Sequence, residues 1–309
     1  MIDDREATPD SVGTTHRATR PARPGAASAV LTAARSGLAR GRIELKLTFT
    51  NAQDLWAYLF PAVLLTVVMV FMRGSTVPGM NFSLSARTLP SVLGMNIAMG
   101  GFVNLAQSLT TEREDGTLLR AKAIPHGMVG YLVGKIVQVS GMSVIGCVLV
   151  LVPGLFVAEG LDLGPAAWFT LVWVMLLGFV ATMPAGAVIG SLISSPRAMG
   201  LVMLPLMGLI AISGIFYPSS ALPGWLQVTG QVFPFYWLGL GMRSALLPDA
   251  MSAAELGQSW RHWETVAVLG LWAIVGLLVA PVVLRRMARR ESGSAVAARR
   301  ERALSRMPA

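Results

Sequence analysis

Residue types that do chemistry are few in this sequence, and their spacing rules out most of it. A single cysteine, Cys147, excludes an intrachain disulfide framework and any cysteine-based zinc site. The histidines His16, His126 and His262 stand far apart, so no histidine metal site is indicated, and no H-E-x-x-H pair exists for a zinc protease. The nearest approach to a phosphate-binding loop is Gly130-Tyr-Leu-Val-Gly134-Lys135-Ile136. Such a loop needs four residues between its glycines and a hydroxyl after the lysine. Here there are three residues and an isoleucine, inside an apolar run. Serine chemistry needs a base beside the nucleophile, and no histidine lies within the long apolar runs. His126, just beyond Pro125, and His262, beside Arg261 and Glu264, read as surface residues.

One stretch, residues 111–128, concentrates charge. Glu112, Glu114 and Asp115 precede Gly116, which permits a sharp turn. Thr117 is a suitable N-cap for a short helix from Leu118 to Ile124, which Pro125 stops. The acidic residues ahead of it favour its dipole. Leu118, Leu119 and Ile124 alternate with Arg120 and Lys122, so the helix can lie at a membrane surface and present a face to a partner. On composition alone an ordinary charged turn between two spans is the favoured alternative.

The elements that position this stretch follow from hydropathy. Hydrophobic residues are 54% of the 309 and charged residues only 13%, against roughly 25% charged in a soluble domain. The mean hydropathy is +0.61. A span needs about 20 apolar residues. Six runs qualify, at 55–72, 88–109, 129–152, 166–190, 199–217 and 264–284. Residues 1–25 are too polar to bury a core and are expected to be disordered, with no early apolar run of the signal-peptide kind. Residues 26–54 mix apolar and basic positions, as in an amphipathic helix lying on the membrane before the first span. The segment 218–262 contains Pro234 and Arg243 and reads as short re-entrant helices rather than a seventh span.

Net charge is +9, and its distribution argues for a membrane rather than nucleic acid. Eight Lys/Arg precede the first run, Arg113, Arg120 and Lys122 follow the second, Arg197 follows the fourth, and eight more lie in the tail 285–309. The opposite loops hold Arg73, Arg87, Arg243 and Arg261, while Lys135 can snorkel to the basic side. The basic side is expected to be cytoplasmic, which puts both termini inside and makes the span number even. The fold expected is an all-α membrane protein of six transmembrane helices.

Within the runs, Asn96, Asn104 and Gln107 fall on one polar stripe of a regular helix, either lining a path or bonding neighbouring helices. Met199, Met203 and Met207 form a soft stripe on the fifth run, suited either to a bulky apolar substrate or to packing.

Glu112-x-Glu114-Asp115-Gly116-Thr117-Leu118-Leu119-Arg120, then Ile124-Pro125, Tyr131 and Gly134-Lys135, resembles the cytoplasmic signature of ABC-2 type transporter permeases, nearest the daunorubicin-resistance branch. The resemblance spans about residues 40–290 and implies a type V exporter-like fold in a bacterial cytoplasmic membrane. It implies two permease copies, a homodimer if self-paired, and two ATP-binding cassette subunits that carry ATP and Mg. It gives Glu112, Glu114, Asp115, Gly116, Thr117, Leu118 and Arg120 the role of coupling ATPase closure to the spans. It makes Asn96, Asn104, Gln107, Met199, Met203 and Met207 candidates for the translocation path. No catalytic residue, cofactor or metal is expected on this chain. A hydrophobic drug, secondary metabolite or lipid is the implied cargo. The competing reading is an ion-coupled transporter or flippase, disfavoured because Glu264 alone, at an edge, brings a carboxylate into the runs.

Overall fold

The computed structural model describes residues 26–75, 83–124, 126–193, 196–215 and 218–290. Expectations on residues 1–25, Pro125, the end of the fifth run and the tail beyond 290 lie outside them. Every element among the described residues is a helix: α1 Ala26–Thr50, α2 Ala52–Phe71, α3 Leu84–Glu114, α4 Thr117–Lys122, α5 Gly127–Val157, α6 Pro165–Leu192, α7 Pro196–Ala211, α8 Gly224–Val232, α9 Pro234–Leu246 and α10 His262–Arg290. Short 3-10 turns connect α7 to α8 and α9 to α10. Proline opens α6 and α9, where its missing N–H costs no helical bond.

Four helices, α3, α5, α6 and α10, are long and apolar enough to cross a membrane. The four are unequal in setting: α3 is the most enclosed and α10 the least. The apolar parts of α2 (Leu59–Phe71) and α7 (Ala198–Ala211) sit at the expected first and fifth runs but are shorter. The lead-in helix expected through residue 54 stops at Thr50, and Asn51 separates it from α2.

Around α3 the packing is close. Helix α9 is buried along nearly its whole length against α3 and α6, and α10 runs beside α6. Helix α1 lies along α5 through two matched glycine pairs, Gly37-x-x-x-Gly41 and Gly130-x-x-x-Gly134. A Cβ on Gly37 would stand 2.2 Å from the Gly130 carbonyl oxygen, and one on Gly41 would stand 2.5 Å from that of Gly134. Such small-residue faces let two backbones approach where no larger side chain fits. The segment that mimics a phosphate loop in sequence is therefore a helix-packing face.

At the end of the bundle away from α4, the structure corrects the sequence reading of two arginines. Arg87 and Arg243, taken there as loop charges, are both buried, Arg243 completely. Arg243 donates Nε to Glu255 Oε1 at 2.8 Å and Nη2 to Oε2 at 3.0 Å, and Arg87 Nη2 reaches Oε1 at 3.3 Å. Arg243 Nη1 donates to Ser91 Oγ and to the Gly214 carbonyl, each at 3.2 Å. The positive-inside count sees only charge. It cannot see that Glu255, twelve residues on, neutralises Arg243 and ties α3, α9 and the 249–258 turns together.

Candidate coupling site

The stretch 111–128 begins where α3 ends. Asp115 closes α3 and Gly116 turns the chain at φ +74°, ψ 8°, a left-handed conformation that glycine adopts without a Cβ penalty. Helix α4 follows at once. Thr117, expected as its N-cap, is its first residue, and the helix ends at Lys122 rather than Ile124; Gly116 takes the cap position. The Thr117 hydroxyl instead accepts from Arg120 Nη2 at 3.0 Å.

Burial divides the seven predicted coupling residues. Glu114, Asp115 and Arg120 are exposed; Gly116 and Thr117 are half-buried. Leu118 is 2% exposed and anchors α4 to the bundle, so it presents nothing to a partner. Ile124, at the end of this segment, is 62% exposed although apolar. The outward surface is therefore Glu114, Asp115, Arg120 and Ile124.

Glu112 turns inward. Its Oε1 accepts a short, charge-assisted hydrogen bond from Lys135 Nζ on α5. Lys135 also donates to Glu44 Oε2 of α1 at 3.3 Å and to Gln138 Oε1 at 2.6 Å. Glu44 Oε1 in turn accepts from Arg40 Nε at 2.6 Å, and Arg40 lies over the Tyr131 ring at 5.7 Å. Burial alone would raise the Glu44 carboxyl, but the Arg40 hydrogen bond and the Lys135 charge hold it below its ordinary value. The same bond with Glu44 raises Arg40. Lys135, expected to snorkel to water, has a side chain only 4% exposed. Two carboxylates compensate it more fully than an interface would.

The next residue makes a second tie. Arg113 Nη1 donates to the Ile193 carbonyl at 3.2 Å and to that of Ser191 at 3.4 Å, both at the C-terminal end of α6. Cations suit that end of a helix dipole. Adjacent residues thus fasten the end of α3 to α1 and α5 on one side and to α6 on the other.

The polar stripe on α3 is not straight. Residues Gly100–Asn104 form a π turn, which takes one residue more than an α turn. Everything below is rotated back by about 100°, the angle of one α residue. Asn96 and Asn104 consequently share the face toward α5, where Cys147 Sγ lies 3.8 Å from Asn96 Oδ1 and Asn104 lies beside Gln138 and Met142. Gln107, expected to align with Asn96, is exposed. On α7 the methionines diverge similarly: Met199 is buried, Met203 half-buried and Met207 exposed, since i to i+8 is more than two turns. The structure does not bring the asparagines and the methionines to one surface.

The sequence reading did not see Glu44, Lys135 and Arg113 as ties between helices. The matched G-x-x-x-G faces were the available signal, because they set α1 and α5 in contact and so place Glu44 beside Lys135.

The family model described as ABC-2 family transporter protein matches residues 75–281, about two thirds of the chain. Among curated proteins nothing matches.

Proposed function

The chain belongs to the ABC-2 family of transporter proteins and is a multi-pass membrane protein, and from that premise we propose that it is the permease subunit of an ATP-driven exporter. A separate cassette subunit binds ATP and Mg and docks on the outward face of α4. Two permeases and two ATPase subunits assemble, by the family resemblance of residues 112–135. The six apolar helices α2, α3, α5, α6, α7 and α10 serve as spans, with both termini in the cytoplasm of a bacterial cell. The cargo is a hydrophobic drug, secondary metabolite or lipid, as in the multidrug branch of the family.

One observation carries this reading. A short helix exposes Arg120 and Lys122, with the exposed Ile124 just beyond it, while Glu112 and Arg113 near the end of α3 tie that helix to α5, through Lys135 to α1, and to α6. A push on α4 therefore moves four helices together. Ion coupling gains no support here, because Glu44 and Glu112, the carboxylates beside this end of α3, α1 and α5, are each ion-paired.

The test is co-expression with a cassette ATPase from the same source, co-purification, and vanadate-sensitive ATP hydrolysis in lipid. A stable complex is expected. Gly116→Pro, which cannot adopt a positive φ, should abolish coupling while the complex partners remain expressed. Absence of any stable ATPase complex would remove the exporter reading.

A further inference from the structure

At the end of the bundle away from α4, two guanidiniums share one carboxylate. Arg243 is 0% exposed, Arg87 7% and Glu255 5%. Glu255 gives both its oxygens to Arg243, and Arg87 Nη2 reaches only the shared one, at 3.3 Å. One negative charge therefore faces two positive ones. No other carboxylate among the described residues acts on Arg87, and the remaining charge that does, Arg243, repels it. A guanidinium does not release its proton at neutral pH. An uncompensated charge is costly to bury, and a counter-ion removes that cost.

The groups beside Arg87 are donors. Its Nε and Nη1 have no acceptor among the described residues. Arg87 stands in the first turn of α3, at the positive end of that helix's dipole. Ser83 precedes the helix without capping it through its side chain. The backbone N–H groups of Ser85 and Ala86, residues with no exposed surface, have no acceptor among the described residues either. Ser83 Oγ and Ser85 Oγ lie 2.7 Å apart, so one hydroxyl donates to the other and one hydroxyl hydrogen is left over. Ser83 and Arg87, four residues apart, share a face of this helix start. The turn thus gathers an uncompensated cation, two amide donors and a hydroxyl donor. Water satisfies donors but leaves the charge, and a cation is repelled. Arg87 keeps only a small opening to the outside, which admits only a small ligand.

We infer that the first turn of α3 binds one small inorganic anion of halide size, held by the free edge of Arg87 and the donors of Ser83, Ser85 and Ala86. The anion makes the Arg87–Glu255–Arg243 cluster neutral and so helps hold α3, α9 and the 249–258 turns together. Binding needs no ATPase and does not depend on the exporter reading.

The test uses the purified full chain in maltoside micelles, with radiolabelled chloride as the probe and gluconate replacing chloride at constant ionic strength. Equilibrium dialysis is expected to show saturable binding of a single chloride per chain, competed by bromide and nitrate and not by gluconate. Arg87→Met should abolish binding. Arg87→Lys keeps the charge but loses the fork of donors, and should raise the half-saturating chloride concentration about tenfold. Ser83→Asp guards against misfolding, because it tethers a carboxylate beside Arg87. It should abolish chloride binding yet unfold no earlier than wild type, and its unfolding by denaturing detergent should be the same in chloride and gluconate. Wild type should unfold earlier in gluconate. The site is overturned if wild type binds no chloride saturably, or if Arg87→Met binds it as wild type does. It is overturned equally if chloride stabilises wild type, Arg87→Met and Ser83→Asp to the same degree, which is a general salt effect. Displacement by added phosphatidylglycerol without competition from bromide would assign the turn to a lipid phosphate and overturn the halide.

Discussion

Lys135→Met tests the ionic node by itself. Methionine keeps most of the apolar stem and removes the charge. Three bonds disappear, to Glu112, Glu44 and Gln138. Glu44 retains Arg40 at 2.6 Å. Glu112 retains nothing comparable, since its other oxygen, Oε2, is buried without a partner. Removing one member of a buried ion pair costs about 3–5 kcal/mol. The two carboxylate side chains are 19% and 22% exposed, so water offsets part of this, and the lower end, about 3 kcal/mol, is expected. Adding Glu112→Gln to Lys135→Met removes the orphaned charge and should restore at least about half of the loss, so the coupling in the double-mutant cycle is at least about 1.5 kcal/mol plus whatever Glu112→Gln costs alone. The assay is unfolding of the purified chain in mixed micelles by a titrated denaturing detergent, followed by tryptophan fluorescence. If Lys135→Met unfolds with wild type, or the double variant is no better than the single, the node does not hold α1, α3 and α5 together.

Other outcomes follow from neighbouring contacts. Gly130→Leu must displace α1, because even a Cβ there meets the Ala33 carbonyl oxygen at 2.7 Å; limited proteolysis should then cut within residues 26–50 while α5 and α6 stay protected. Glu44 has its pKa lowered from the ordinary 4.5, so its contribution is fully present above that value and is lost as pH falls through the depressed one; Arg40→Gln should move this loss toward higher pH in an acid unfolding series. Glu255→Gln leaves Arg87 and Arg243 buried with neutral partners only and should destabilise by about 3 kcal/mol or more, whereas Arg87→Met beside a retained Arg243–Glu255 pair should cost clearly less, both measured by the same unfolding titration.

The helices of this fold are legible from hydropathy because an apolar run in a membrane protein has few alternatives to a helix. Their ends are less so: Asn51 breaks the lead-in helix four residues early, and Leu84–Glu114 continues well past the apolar run to carry Glu112 and Arg113. The coupling stretch stands out by its charge and its glycine, yet sequence treats all seven of its residues alike. Only packing separates Leu118, which is buried, and Glu112, which is paired, from Glu114, Asp115 and Arg120. The π turn defeats any wheel drawn at a constant angle, which is why Gln107 falls off the face that Asn104 joins. Arg243 and Glu255 are close in sequence but read as loop charges, because burial is a property of the assembled helices and not of either residue.

In the proposed exporter a cassette ATPase acts on this chain through α4 and the exposed Ile124 just beyond it. This is tested most directly by placing a photocrosslinking amino acid at position 124, and separately at the buried position 118, in cells that co-express the ATPase. A crosslink to the ATPase is expected from position 124, with a yield that changes when vanadate traps the nucleotide-bound state, and none from position 118. Crosslinks from neither position, with the ATPase present and the chain folded, would contradict it.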